Sequence, residues 1–198
     1  MDKKQLEELF YQAIETELGG EQVYIAAIDC AVNDELREEW QGYLEETRNH
    51  QRILAGVFET AGLDIDRDTP GREVLRHKAT GLIEAMTMAK AEDGPVAAQL
   101  VAAECVVEAE SKDHQNWELI GLMSEHVEGD LKTAMSDAYD EVAEEEAEHL
   151  FHTMGWAREL WLESLGVPAA LPPPEEEKHV TTQIGAGRAA LARDEYVE

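Results

Sequence analysis

Cysteine and long apolar runs are scarce in this sequence. Of its 198 residues only two are cysteines, Cys30 and Cys105, and no CxxC pair occurs. A disulfide framework and a zinc knuckle are therefore excluded, and we expect two buried, reduced thiols. No apolar run approaches the roughly 18 residues that a transmembrane helix requires. The stretch MDKKQLEELF is amphipathic, so we expect no signal peptide and a cytoplasmic location.

Positive charge is also scarce. The sequence has 16 basic residues against 44 acidic ones, and its formal net charge is −28. Nucleic acids and anionic membranes repel such a surface, so we expect neither as a partner. The charge fits a protein that attracts cations, although most single acidic residues are expected on solvated helix faces.

Strand signals are absent, and the six prolines leave long tracts of the chain uninterrupted. Within these tracts apolar residues recur at spacings of three and four, which is typical of helices. We expect Asp34, in the Asn33-Asp34 pair, to cap the second helix. The sequence predicts helices at about 3–32, 35–61, 71–91, 95–126 and 131–165.

The four longest predicted helices indicate an all-α bundle of two antiparallel hairpins. The connection inside each hairpin is short, whereas the segment between the hairpins is long and contains the helix at 71–91, which fits a crossover. We therefore predict one helical bundle over residues 1–166. Residues 167–198, which include LPPPEEEKH, have the composition of a Pro-rich linker and a polar, weakly ordered tail. Docking of this tail on a partner subunit is the alternative.

Two glutamates interrupt the apolar stripes of their helices. Glu17 in the first helix and Glu110 in the fourth lie in line with core positions, and a buried carboxylate needs a partner charge or a metal. The segments 14–24 and 107–117 align with one another. In both, the glutamate precedes an aromatic residue by seven positions, two turns along the same face. This repetition suggests that the two hairpins are an internal repeat.

The other helix of each hairpin carries a histidine and glutamates. Glu146 and His149 form Glu-x-x-His, which places a carboxylate and an imidazole one turn apart on one helix face. Such an arrangement lets one rigid helix supply two metal ligands. Glu46 and His50 are spaced by four instead, and Thr47 occupies the position that a strict Glu-x-x-His would give to glutamate.

This ligand pattern resembles that of the ferritin-like di-iron carboxylate superfamily over about residues 5–165. The stretch ELGGEQVY is similar to the first helix of bacterioferritins and of the rubrerythrin bundle. The resemblance implies a ferritin-like four-helix bundle holding two iron ions, with manganese or zinc as alternatives. Its partners would be O2 or peroxide. The implied metal ligands are Glu17, Glu46, His50, Glu110, Glu146 and His149.

The sequence also departs from that pattern. Glu145 and His149 are spaced by four, as Glu46 and His50 are. Two interpretations are open: a local π-bulge that brings such a pair into the usual geometry, or an asymmetric metal site. His114 and His152 lie near the same helix faces and are further candidate ligands. Without a CxxC pair, the rubredoxin-type iron centre of full rubrerythrins is missing. A haem-oxygenase-like bundle is the alternative fold.

The resemblance leaves three functions open. The first is a di-iron oxidoreductase of ferroxidase or peroxidase type, and the second is a protein that binds and sequesters iron without turnover. The third is an acidic helical bundle without metal. A small homo-oligomer such as a dimer is expected rather than a storage cage, because a proline-rich segment follows the bundle where cage-forming chains carry a short fifth helix.

Overall fold

The computed structural model describes residues 1–197, and every regular element in that range is helical. The five long helices predicted from the sequence are confirmed, each with ends within a few residues of the expected positions. The helices are α1 (Lys3–Cys30), α2 (Asp34–Ala61), α3 (Pro70–Glu92), α4 (Pro95–Ser124), α5 (Asp130–Ser164), α6 (Pro174–Glu177) and α7 (Gln183–Ala192), followed by a 3₁₀ helix at Arg193–Glu195.

Helix ends follow from residues that satisfy the free backbone groups of a terminal turn. Asp2 caps α1 by accepting hydrogen bonds from the amides of Lys4 and Gln5. Asn33, rather than the expected Asp34, caps α2, because its side chain accepts from Leu36 N while Asp34 already lies in the first turn. Gly62 ends α2 in the left-handed conformation that glycine adopts without strain.

The four longest helices form a closed ring in the order α1, α2, α5, α4. Neighbours in this ring are antiparallel, since residues late in one helix meet residues early in the next. Between α1 and α2, Tyr11 contacts Phe58 and Glu21 contacts Arg48. Between α4 and α5, Glu104 contacts Trp161 and Glu110 contacts His149. Between α2 and α5, Glu39 contacts Trp156 and Glu46 contacts His149.

Helix α3 lies outside the ring and packs across α1 and α4. Its attachment is partly electrostatic. Arg72 and Arg76 both bind the buried Glu15 carboxylate, with N···O distances of 2.6 and 2.8 Å. The long connection between the hairpins is therefore a packed helix, which covers one face of the bundle.

The C-terminal segment, expected to be a linker and a weakly ordered tail, instead forms α6 and α7 and packs on α5 of its own chain. Arg158 donates to both oxygens of the buried Glu175 carboxylate, with Nη2···Oε2 at 2.9 Å. Val180 and Ala189 pack in an apolar cluster with Leu150. The composition of the tail is polar, but its few apolar residues and its paired charges are enough to hold it in place.

The interior of the ring is apolar at both ends and polar in the middle. One cluster surrounds Trp40, Val106 and Trp156, and the other surrounds Phe58 and Ile120. Between these clusters, each of the four ring helices contributes at least one buried glutamate or histidine. Both cysteines are buried and unpaired, as expected. None of the helices within residues 1–197 is long and apolar enough to cross a membrane.

Candidate metal centre

Five side chains from all four ring helices meet in the polar layer. Each is between 0 and 3% exposed, although all five are ionisable. They are Glu17 of α1, His50 of α2, Glu110 of α4, and Glu146 and His149 of α5. Ionisable groups are almost never buried to this degree unless they are paired or coordinate a metal.

The five residues divide into two groups that can each hold a metal ion. Glu17, His50 and Glu146 form one group, and Glu110, Glu146 and His149 form the other. Within each group, one donor atom from each residue lies within 4.8 Å of the others. Glu146 belongs to both groups, so its carboxylate lies between the two positions.

The distances in the two groups are similar. His50 Nδ1 lies 3.5 Å from Glu17 Oε1 and 2.9 Å from Glu146 Oε1. His149 Nδ1 lies 3.6 Å from Glu110 Oε2 and 3.9 Å from the same Glu146 oxygen. The imidazole rings of His50 and His149 are nearly parallel, with centroids 5.7 Å apart. Both Nδ1 atoms thus face the carboxylates at the centre of the layer.

Most of these donor atoms lack a hydrogen-bond partner of acceptable geometry among residues 1–197. The atoms without one are Glu17 Oε2, Glu110 Oε2, Glu146 Oε2, His50 Nδ1 and His149 Nδ1. An unsatisfied buried polar atom costs free energy, about 1–3 kcal/mol for a neutral group and more for a charged one. Atoms of this kind in two adjacent groups fit the donor sets of bound divalent cations.

The outward nitrogen of each histidine contacts a glutamate on the opposite hairpin. His149 Nε2 lies 2.7 Å from Glu46 Oε2, and His50 Nε2 lies 2.8 Å from Glu145 Oε2. The Glu46 and Glu145 side chains are 39% and 41% exposed, and neither belongs to the two buried groups. A carboxylate that accepts the Nε2 proton leaves the Nδ1 lone pair directed inward. The structure therefore places Glu46 and Glu145 behind the histidines rather than among the inward-facing donors.

Burial and mutual proximity shift the pKa values of the layer. Burial raises the pKa of the Glu146 carboxyl to about 7, against the contribution of His50. Burial also raises the pKa of Glu17. For both histidines burial lowers the pKa, but the surrounding carboxylates outweigh it and raise the pKa to about 12 at His50 and about 10 at His149. Without a metal, the layer thus retains protons at the atoms where a cation would bind.

Two positions break the symmetry between the hairpins. Thr47 lies three residues before His50, as Glu146 lies before His149, and its hydroxyl donates to Tyr43 O within α2. Gly20 lies three residues after Glu17, as Asp113 lies after Glu110. A Cβ at Gly20 would lie 3.9 Å from Thr47 Cγ2, so the two small residues face one another. The α1–α2 side therefore lacks both carboxylates that the α4–α5 side possesses.

Asp113 is the residue of this layer that sequence reasoning missed. It is buried, and its Oδ1 has no hydrogen-bond partner within the described chain. Burial, and then the charges of Glu17 and Glu146, raise its pKa well above the usual value. Its spacing of three from Glu110 was a detectable signal, because that spacing places both carboxylates on one helix face.

His114 and His152, the two further candidates, do not join the layer. His114 is partly exposed and its Nε2 lies 3.6 Å from Glu118 on the solvent side of α4. His152 is buried one turn beyond His149, where Nδ1 contacts the Tyr43 hydroxyl at 3.0 Å and Glu39 at 3.4 Å. Glu39 was not anticipated from the sequence. Burial opposes its ionisation, but hydrogen bonds from His152 and other neighbours lower its pKa.

Aromatic side chains enclose the layer. Trp117 Nε1 donates to Glu17 Oε1 at 2.7 Å, so the aromatic residue two turns after Glu110 orients the glutamate of the other hairpin. Tyr24 is the equivalent residue of α1. Burial and the neighbouring Glu110 raise the pKa of its phenol well above the usual value. The Tyr43 ring lies 4.2 Å from the His149 ring, measured between centroids. These rings limit access of water to the donor atoms.

Comparisons with protein-family models, with curated proteins and with solved structures gave no match for this chain.

Proposed function

We propose that this chain is a non-haem di-metal carboxylate protein, which uses two iron ions to oxidise Fe(II) or to reduce O2 or peroxide inside a ferritin-like bundle. The observation that carries the proposal is the pair of buried Glu-Glu-His groups that share Glu146. Two ions bound side by side need a donor between them, and Glu146 is placed to contact both. The closed antiparallel ring with a helical crossover is the arrangement that ferritin-like proteins use for such sites.

Each inward-facing residue has a definite part in this proposal. Glu17 and His50 would hold one ion, Glu110 and His149 the other, and Glu146 would bridge them. Glu46 and Glu145, expected from the sequence to be ligands, would instead orient the histidines by accepting their Nε2 protons. Oxygen and nitrogen donors of this kind suit iron, manganese and zinc, and iron is favoured by the resemblance.

Iron bound here would supply the electrons that reduce O2 or peroxide, while the protein controls access and proton position. Trp117 and Tyr24 exclude bulk water beside Glu17 and Glu110, which strengthens electrostatic interactions in the layer. Displacing the protons from His50, His149 and Glu146 frees the donor atoms, so metal binding would release protons. Asp113, whose pKa burial raises well above the usual value, would hold a proton beside the layer that it can donate.

Iron content and oxygen consumption test the proposal together. The purified chain is loaded with Fe(II) without oxygen, desalted and analysed, and we expect about two iron ions per chain. A pulse of O2 should then oxidise the bound iron with consumption of O2. The Glu146→Ala, His149→Ala double variant should lose both properties, whereas the Glu141→Ala, Glu144→Ala variant, altered at two exposed positions of the same helix, should retain them.

Each failure has a separate meaning. Less than about half an iron ion per chain would contradict the metal site itself and favour the metal-free bundle. Full loading without O2 consumption would contradict turnover and favour iron sequestration. Loading that persists in the double variant would place the site elsewhere. The small homo-oligomer and the cytoplasmic location stay predictions, and native mass spectrometry tests the first.

A further inference from the structure

A cavity of about 410 Å³ lies where α3 crosses α1 and α4, and residues of these three helices line it. Small residues on all three helices leave this space open, among them Gly20, Ala79 and Ala109. Its wall is mostly aliphatic, with Val23, Leu75 and Leu82 but no aromatic side chain. The size is within the range of small-molecule sites in proteins, and the apolar wall suits a hydrocarbon group.

Two lysines line the cavity, although the chain as a whole carries a formal charge of −28. Within residues 1–197, neither Lys78 nor Lys112 pairs with a carboxylate, and the one polar contact of Lys112 Nζ is Asn116 Oδ1. Both lysine side chains thus line one cavity without a carboxylate partner.

The carboxylates of the cavity do not cancel this charge. Glu15 is already bound by two arginines of α3, Arg72 and Arg76. Glu108 is exposed at the edge and makes no ion pair with either lysine. The lysines thus form a local positive site in an acidic protein, beside an apolar space, and such a combination recognises an anion that carries a hydrocarbon group.

We propose that this cavity binds an aliphatic carboxylate of medium chain length, with its carboxylate between Lys78 and Lys112 and its hydrocarbon chain against α1 and α3. Thr16 and Gly20 line the cavity on either side of Glu17, whose own side chain turns into the ring. Binding at this site does not require a metal ion.

Calorimetric titration of the metal-free chain with octanoate tests the proposal. We expect octanoate to bind with a stoichiometry of one. The Lys78→Gln, Lys112→Gln variant should bind at least about tenfold more weakly, because each lysine contributes a charge-assisted hydrogen bond. The matched control is Lys3→Gln, Lys4→Gln, which removes the same charge from exposed positions and should bind like the unaltered chain.

A second variant tests the space itself. Gly81 lines the cavity and a Cβ there would have no atom within 4 Å, so Gly81→Leu adds a side chain at the cavity wall without a clash and should weaken binding. Leucine also favours the helix more than glycine does, so α3 should keep its fold. Equal binding of octyltrimethylammonium and octanoate, equal affinity in the two lysine double variants, or no octanoate binding would each overturn the proposal. Iron loading is measured separately, so its failure leaves this result unaffected.

Discussion

The α1–α2 hairpin and the α4–α5 hairpin supply the same kinds of side chain to the polar layer, but only one of them is complete. Three pairs correspond in position and contacts: Glu17 with Glu110, His50 with His149, and Glu46 with Glu145. Thr47 and Gly20 correspond to Glu146 and Asp113 and contribute no charge. The difference teaches that one shared carboxylate is enough to bring the two groups together, since Glu146 alone belongs to both.

The largest expected effect comes from removing that shared carboxylate. Glu146→Gln should reduce iron content from about two ions per chain to less than one, because each group loses a donor. Thr47→Val, the corresponding change in the other hairpin, should leave iron content unchanged. Metal analysis after anaerobic loading measures both, with circular dichroism as the check on folding. Equal loss in both variants would mean that Thr47 also holds the metal.

Removing a donor that belongs to one group should cost one ion rather than two. Glu17→Gln and Glu110→Gln are matched variants, and each should retain about one iron ion per chain because the other group stays intact. Metal titration followed by absorbance or calorimetry should show one binding step instead of two. Loss of both ions in either variant would show that the two groups bind only as a unit.

The carboxylates behind the histidines should have smaller effects. Glu46→Gln and Glu145→Gln keep a hydrogen-bond acceptor but remove the charge that holds each Nε2 proton. We expect metal affinity to fall about tenfold, at the His149 group for Glu46→Gln and at the His50 group for Glu145→Gln. Competition with a chelator of known affinity measures the change. A smaller number of bound ions, rather than a lower affinity, would indicate that Glu46 and Glu145 are direct metal ligands, as the sequence suggested.

The smallest expected effect is a pH dependence of the metal-free protein. The pKa values of Glu146, His50 and His149 are raised to about 7, 12 and 10, so the folded chain holds protons that the unfolded chain releases at lower pH, and the free energy of unfolding falls as pH rises toward these values. The melting temperature should therefore fall, by at least about 5 °C between pH 6 and 9. Glu146→Gln should flatten this dependence. A rise in melting temperature over that interval would contradict the raised pKa values.

The sequence predicted the helices well, because prolines, glycines and capping residues mark their ends. It also selected the five residues that the structure brings together, since Glu17, Glu110 and the Glu146-x-x-His149 pair interrupt otherwise apolar faces. Their role as metal ligands stays a prediction. In α4 the expected buried face was right at Glu110, but positions 113 and 114 both lie near that face one turn later. The apolar pattern did not show which of the two is directed inward.

In the structure Asp113 is buried beside the layer, whereas His114 is partly exposed. The positions of Glu46 and the C-terminal segment were beyond sequence reasoning for a different reason. Glu46 reaches behind His149 only because α2 and α5 approach closely, and the tail is held by pairs such as Arg158 with Glu175. Contacts between distant segments leave no periodic signal in either segment.

The division of the interior into two apolar clusters has a consequence for cooperativity. Each of the four ring helices passes through both clusters. The layer between the clusters contributes unsatisfied polar atoms in place of apolar contacts. In the metal-free chain the ends of the bundle are thus coupled mainly through the helix backbones. Local opening at one end can then proceed without the other, and amide hydrogen exchange would detect it as two separately protected regions. A bound metal pair would join the ends into one unfolding unit.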